Sequence, residues 1–298
     1  MKLAARLLDL AHSHGMRSIV VVGTGKNVGK TVVVRALCES AWAADPTLGL
    51  TSIGRDGEAF DVSDALAKPR LFLRQGTLIA TARAAVPATP ACEIVDLSNL
   101  HTAIGDLLYA RVRTGAYYEI AGPPTAWGIR AVIERLFDLG CSRVIVDGAV
   151  DRIAALAGGK DGVIVATGAA AGATPQEAVE NITALVRRLG VPIVDSARPM
   201  LRIDGALTAE AAAAFSEARE RRQIVVRDPT QITFSAKAFL RAAERLDLRC
   251  ERPLTVIAAT VASIGRERYF EPDEFARRVA QATALPTFDL YTGKATAA

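Results

Sequence analysis

The sequence predicts an α/β protein, a predominantly parallel sheet flanked by helices with a C-terminal α/β extension. Three observations carry this. Half of the 298 residues are hydrophobic but only 5% are aromatic, so the core must be built from Ala, Val, Ile and Leu. That composition suits a buried parallel sheet under Ala-rich helices. Short β-branched runs alternate with longer helical stretches, and the runs stop at Gly or Asp. The length allows two domains, which we place at residues 1–197 and 198–298.

Taken in order, MKLAARLLDLAHSHG reads as an amphipathic helix ending at His12 and His14. Residues 17–22 form a buried strand stopped by Gly23, and 30–43 the helix after it. LGLTSI at 48–53 is the next strand. The stretch 57–110 is irregular and suggests inserted strands and loops. RVIVD at 143–147 and GVIVAT at 162–167 are two more strands. Thr174-Pro175-Gln176-Glu177 is a helix start: a threonine cap, a proline in the first turn and a glutamate to close a capping box. That helix runs to about Arg188, and VPIVD at 191–195 follows as a strand. Beyond Ala197 the rhythm continues with strands at 200–203, 223–228, 254–261 and 287–290. Helices at 208–221, 235–247 and 272–283 alternate with them.

Composition narrows the function classes. Lys and Arg total 36 against 32 Asp and Glu, a net charge of +4 spread along the chain, which excludes a nucleic-acid footprint. The densest cluster, Arg219, Arg221 and Arg222, reads as the solvated end of the 208–221 helix. Cys38, Cys92, Cys141 and Cys250 are far apart and read as small core residues of a reducing compartment. His12 and His14 are a poor ligand pair on a helix. The chain has neither an apolar run of membrane-spanning length nor a signal-peptide pattern at its start, so the expectation is a cytoplasmic protein without membrane contact.

The chemistry sits in Gly23-Thr24-Gly25-Lys26-Asn27-Val28-Gly29-Lys30-Thr31, between a strand and a helix. Backbone N–H groups of such a loop wrap an anion, and the helix N-terminus adds a favourable field. Lys30 would reach the β- and γ-phosphates of a nucleotide, and Thr31 would offer a hydroxyl to Mg²⁺. Small residues let phosphate approach the backbone. The standard spacing G-x-x-x-x-G-K-[ST] asks for Gly at position 24, where Thr24 stands.

Gly23-Thr24 followed by Val28-Gly29-Lys30-Thr31 resembles the P-loop of dethiobiotin synthetase and the cobyrinic acid amidases. These belong with the MinD-like (SIMIBI) class of P-loop NTPases. The Lys26-to-Thr31 portion is also similar to a GTPase accessory protein of molybdopterin-guanine dinucleotide assembly. The resemblance covers about fifteen residues closely and extends loosely to about residue 195. It implies a P-loop NTPase fold, ATP or GTP as cofactor with Mg²⁺, and a possible homodimer. The signature lysine of MinD-like ATPases would fall at Gly25; Lys26 is one place late. There is no N-K-x-D guanine-reading motif, which favours ATP, and Ser235-Ala236-Lys237 matches only the S-A-K of GTPases.

Mg²⁺ needs a carboxylate near Thr31. Asp147, at the end of an apolar run, has the Walker B form and resembles the V-V-E-G-A segment of dethiobiotin synthetase. Asp56, in Gly54-Arg55-Asp56-Gly57-Glu58, is the second candidate, as a metal ligand or as a catalytic group that orients water. Both would lie at the C-terminal edge of the sheet, where open α/β folds bind ligands. Glu58, Asp61 and Asp64 follow closely, and Glu119 precedes a Gly-Pro-Pro turn. Gly168 to Thr174 either admits a base or permits tight packing. Lys68, Arg70 and Arg74 are candidates for an anionic substrate.

Three functions follow: a nucleotide-driven switch or accessory factor for a partner protein, an ATP-dependent synthetase activating a small carboxylate or carbamate, and a GTPase of metal-cofactor assembly. A lysine expected after the second strand of dethiobiotin synthetase is absent from Ser52-Ile53-Gly54-Arg55-Asp56, which argues against that particular reaction. No Cys/His/Glu set supports glutamine amidotransfer. Ile203–Leu207, Arg227–Thr230 and Tyr269–Phe275 look similar to proteins associated with adenosylcobalamin-dependent aminomutases, which implies cobalamin-enzyme reactivation as the accessory role.

Overall fold

The computed structural model describes residues 2–44, 47–53, 70–87, 91–148, 156–265 and 267–297. The chain divides into two compact units. Met1–Val21 and Lys30–Ala155 form the first, and Val22–Gly29 and Leu156–Ala298 the second. Both are α/β with flanking helices; the first mixes parallel and antiparallel pairs, and the second is mostly parallel.

The first unit starts with α1 (Lys2–Ser13), β1 (Ser18–Gly23, its last two residues in the second unit), α2 (Lys30–Ala44) and β2 (Leu48–Ser52). Then come β3 (Leu71–Leu73), β4 (Leu78–Ala82), β5 (Cys92–Thr102), β6 (Gly105–Val112) and β7 (Ala116–Tyr118). Last are α3 (Ala126–Asp138) and β8 (Arg143–Asp147). The strand order is β1-β8-β2-β4-β6-β5. The pairs from β1 to β4 are parallel, whereas β6 and β5 are antiparallel. Buried Ile19, Val20 and Val21 explain why β1 reads as one apolar run. α1 buries Ala4, Leu7, Leu8 and Ala11, one stripe at helical spacing.

β3 and β7 make a separate antiparallel pair. β3 to β6 are the inserted strands expected between residues 57 and 110. The helix α3 lies in a stretch to which the sequence reading assigned no element. Thr125 caps it by accepting from Gly128 N–H, and Ile129, Val132, Ile133 and Leu136 form its buried stripe.

The second unit contains β9 (Asp161–Gly168), α4 (Pro175–Leu189), β10 (Met200–Arg202), α5 (Ala209–Glu217) and β11 (Gln223–Val226). It continues with α6 (Ala236–Ala243), β12 (Leu248–Cys250), β13 (Thr255–Ala262), α7 (Pro272–Thr283), β14 (Thr287–Asp289) and β15 (Ala295–Thr296). β13 pairs in parallel with both β9 and β14, and β15 closes that edge antiparallel. β10, β11 and β12 form a smaller parallel sheet over a core that includes Ile224, Val226, Phe239, Leu248 and Cys250.

Three local readings change. Residues 191–195 are not a strand: only Ile193 bridges Cys250, because Pro192 has no N–H to extend a ladder. The helix at 208–221 stops at Glu217. Arg219 is left-handed (φ 51°), and Glu220 N–H donates to Phe215 O (3.0 Å), a Schellman-type ending. The arginine cluster therefore lies past the helix. Glu220 accepts from Arg222 Nη2 (2.7 Å), which holds its carboxyl down at about 2. At α4, Thr174 caps Glu177 N–H, but the Glu177 carboxylate accepts from Ala173 N–H (2.6 Å), one residue before the cap.

Among the described residues, no helix is long and apolar enough to cross a membrane.

Candidate functional site

The loop Thr24–Gly29 connects β1 to α2. Thr24 is a structural tie: its N–H donates to Ala166 O (2.9 Å) and its Oγ1 to Thr167 Oγ1 (3.0 Å), at the end of β9. A glycine would lose the hydroxyl bond, which explains why threonine stands where the standard spacing has glycine. Val28 is buried and pins the loop from below. Asn27 (φ 58°) and Gly29 (φ 88°) both have left-handed φ, on either side of buried Val28, so the loop turns sharply just before α2. Asparagine tolerates this region. Gly29 cannot be replaced freely, because a Cβ there would come 2.5 Å from Leu290 Cδ1 and 3.3 Å from Ala262 Cβ. A Cβ on Gly25 would meet only Val28 Cγ1 at 4.0 Å. Lys26 and Asn27 are exposed, and Gly23, Thr24, Gly25 and Gly29 are half-buried.

Lys30 opens α2, with Thr31 next, both half-buried and with no acidic residue in the helix's first turn. The first N–H groups of a helix have no intrahelical partner, and its dipole favours an anion there. Asp147 ends β8 in register with Val21 of β1 and Ser52 of β2. Its carbonyl accepts from Ile53 N–H (2.8 Å), while Gly148 N–H donates to Val21 O (2.9 Å). Asp147 also acts on α2. The Cys38 thiol is pushed up to about 12 by burial first, then by the charges of Glu39 and Asp147.

A strap crosses the same strand ends. Ser52 Oγ donates to Ile120 O and accepts from Gly122 N–H, both at 3.0 Å. Thr81 Oγ1 accepts from Ala121 N–H (2.9 Å) and donates to Glu119 O (3.3 Å), and Ala82 N–H donates to Ala121 O (2.9 Å). Glu119 is thereby held on the edge that carries Asp147. Ser52, Thr81 and Gly122 join this edge only through the fold, and no local sequence pattern marks them.

The other candidates fall out as follows. Asp56 lies outside the described residues, as do Glu58, Asp61, Asp64 and Lys68. Arg70 is exposed, and Arg74 stacks 5.4 Å from the Trp42 ring centroid. Gly168 and Gly172 serve tight packing: a Cβ would come 2.7 Å from Ala262 O at one and 2.8 Å from Ala178 N at the other. Ser235 caps α6, and Lys237 is exposed. Asp228 caps a short 3-10 turn and Glu271 caps α7, so two of the three phrases outside the loop act as caps. Gln231 ties the remaining one, donating to Gly205 O (2.6 Å). One cleft of about 310 Å³ lies between α4, α6 and β12 beside Arg187 and Arg249, and another of about 380 Å³ lies between α5 and α6 beside Arg241 and Arg245. Neither is lined by the Gly23–Gly29 loop.

No family model, curated protein or solved structure matches this chain.

Proposed function

We propose that the chain is a Mg²⁺-dependent P-loop nucleoside triphosphatase of the SIMIBI class. It hydrolyses ATP, with GTP as the alternative, and acts in the cytoplasm as an accessory or switch factor for a partner protein. One observation supports this above the others: two left-handed residues, Asn27 and Gly29, shape the loop that leads directly into Lys30 and Thr31 at the start of α2. In this reading, backbone N–H groups of Gly25–Lys30 hold the phosphates and Lys30 neutralises the β- and γ-oxygens. Thr31 and Asp147 supply a hydroxyl and a carboxylate, hard oxygen donors that suit Mg²⁺. The metal, when bound, offsets charge on the transferring phosphoryl group.

The strap gives a second reading a specific foothold. Glu119 and Asp147 share one edge of the first unit's sheet, so a synthetase would use Glu119 there toward Mg²⁺ or the substrate's non-carboxylate groups. Background turnover separates the two. The experiment is phosphate release from ATP by the purified chain, with and without Mg²⁺, for wild type, Thr31→Ala and Asp147→Asn. A slow Mg²⁺-dependent hydrolysis, reduced at least tenfold in both variants, supports the proposal. Hydrolysis that ignores Mg²⁺ or survives both substitutions overturns it.

A further inference from the structure

The second unit brings several chain segments to one edge of its sheet. The Thr24–Gly29 loop is tied to the end of β9 through Ala166. The end of β9 is tied to that of β13, since Ala169 N–H donates to Ala262 O (2.9 Å). Leu290, just past β14, packs on Gly29, where a Cβ would come 2.5 Å from its Cδ1.

Around this junction stand large apolar side chains that the core does not use. Tyr269 is 63% exposed, Tyr291 55% and Ile264 44%. Their backbone is firmly held. Tyr291 OH donates to Ile264 O (2.8 Å), and Ile264 bridges Tyr269 antiparallel. The exposed Tyr291 ring, tied by its hydroxyl and next in sequence to the Leu290 that packs on Gly29, is suited to hold a flat partner by its face.

The nearby acid is buried and turned into the fold, away from a base edge. Asp289 is only 1% exposed. Its Oδ1 accepts from Tyr291 N–H (2.9 Å) and Thr292 N–H (2.7 Å), and its Oδ2 from Ser263 Oγ (2.9 Å). A carboxylate engaged in this way closes the turn that presents Tyr291 and does not pair with the N–H groups of guanine.

We infer that Tyr291, with Tyr269 and Ile264 beside it, is the stacking platform for the nucleotide's purine ring, and that the site holds ATP and GTP with similar affinity. The inference rests on the P-loop reading above. Stacking works on any π-face, so it binds a base without reading its edge, and deletion of the ring costs roughly tenfold in affinity.

The test is titration of the full chain with Mg²⁺-ATP, Mg²⁺-GTP and Mg²⁺-tripolyphosphate, which carries phosphates and no base. Wild type should bind ATP and GTP within about threefold of each other. Tyr291→Ala should weaken both about tenfold and leave tripolyphosphate unchanged, Tyr269→Ala should weaken both less, and Tyr291→Phe should keep most of the affinity. Unchanged nucleotide binding in Tyr291→Ala, or a more than tenfold preference between ATP and GTP, overturns the inference while the P-loop reading stands. Weaker tripolyphosphate binding in Tyr291→Ala also overturns it, since the ring would then be supporting the loop. If none of the three ligands binds wild type, the P-loop reading fails and this one with it.

Discussion

Replacing Gly122 by alanine should destabilise the first unit by about 3–5 kcal/mol, as worked from the following contacts. The new Cβ would lie 1.7 Å from Ser52 O, 2.8 Å from Ser52 C and 2.9 Å from Thr51 Oγ1. An ordinary contact needs roughly 1.5 Å more room. The obstacle is the backbone of β2, where Thr51 and Ser52 are buried, so the strap must lift instead. Lifting it strains the bonds from Gly122 and Ala121 N–H, the Ser52 Oγ bond to Ile120 O and the Ala82–Ala121 bond. Losing two of them costs about 2 kcal/mol, and overpacking adds about 1–3 kcal/mol. Urea unfolding at equilibrium measures the sum. Gly140→Ala is the control: φ there is 94° with nothing within 4 Å, so only conformational strain of about 1–2 kcal/mol is expected. If Gly122→Ala unfolds within 1 kcal/mol of wild type, the strap is not anchored as described and Glu119 is not fixed on the edge that carries Asp147.

Gly29→Ala combines left-handed strain with an overlap on Leu290, so Leu290→Ala should recover the overlap alone. A double-mutant cycle by urea unfolding should give a coupling of about 1–2 kcal/mol, and additivity would contradict the contact. Thr174→Ala removes the α4 cap and should cost about 1 kcal/mol by thermal unfolding, with a loss under 0.3 kcal/mol counting against it. Burial pushes the thiols of Cys38 and Cys250 up to about 12 and about 11. Unfolded thiols ionise near pH 9, so between pH 9 and 11 the folded state holds more protons and stability should fall as pH rises. In native protein at pH 8, iodoacetamide should reach Cys92, which is half-buried, before Cys38, Cys141 or Cys250, as peptide mass mapping would read.

The strands legible in the sequence were those buried on both faces. β1, β8 and β9 hold short Val- and Ile-rich apolar runs stopped by Gly or Asp, which favours a buried strand over a helix. Helices with a cap residue and a stop, such as α4 and α7, were equally clear. The losses have local causes. Pro192 interrupts a run that otherwise reads as a strand. Arg219 adopts a left-handed turn that composition does not announce. The hairpin of β5 and β6 carries bulges at Val95 and after Leu97, which break its alternation. At the site, the glycines and Lys30-Thr31 were visible because the loop is contiguous. The strap was not, because Ser52 is 70 residues from Gly122 and Thr81 is 40 from Ala121, so they meet only through the fold.

The most direct test of the central claim is calorimetric titration of the purified chain with ATP, with and without Mg²⁺, against Lys30→Ala. The account predicts binding at one site that requires Mg²⁺ and weakens at least tenfold in the variant, since a lysine–phosphate contact contributes roughly 1.5–3 kcal/mol. Absence of binding at millimolar ATP, or equal binding by Lys30→Ala, would contradict it.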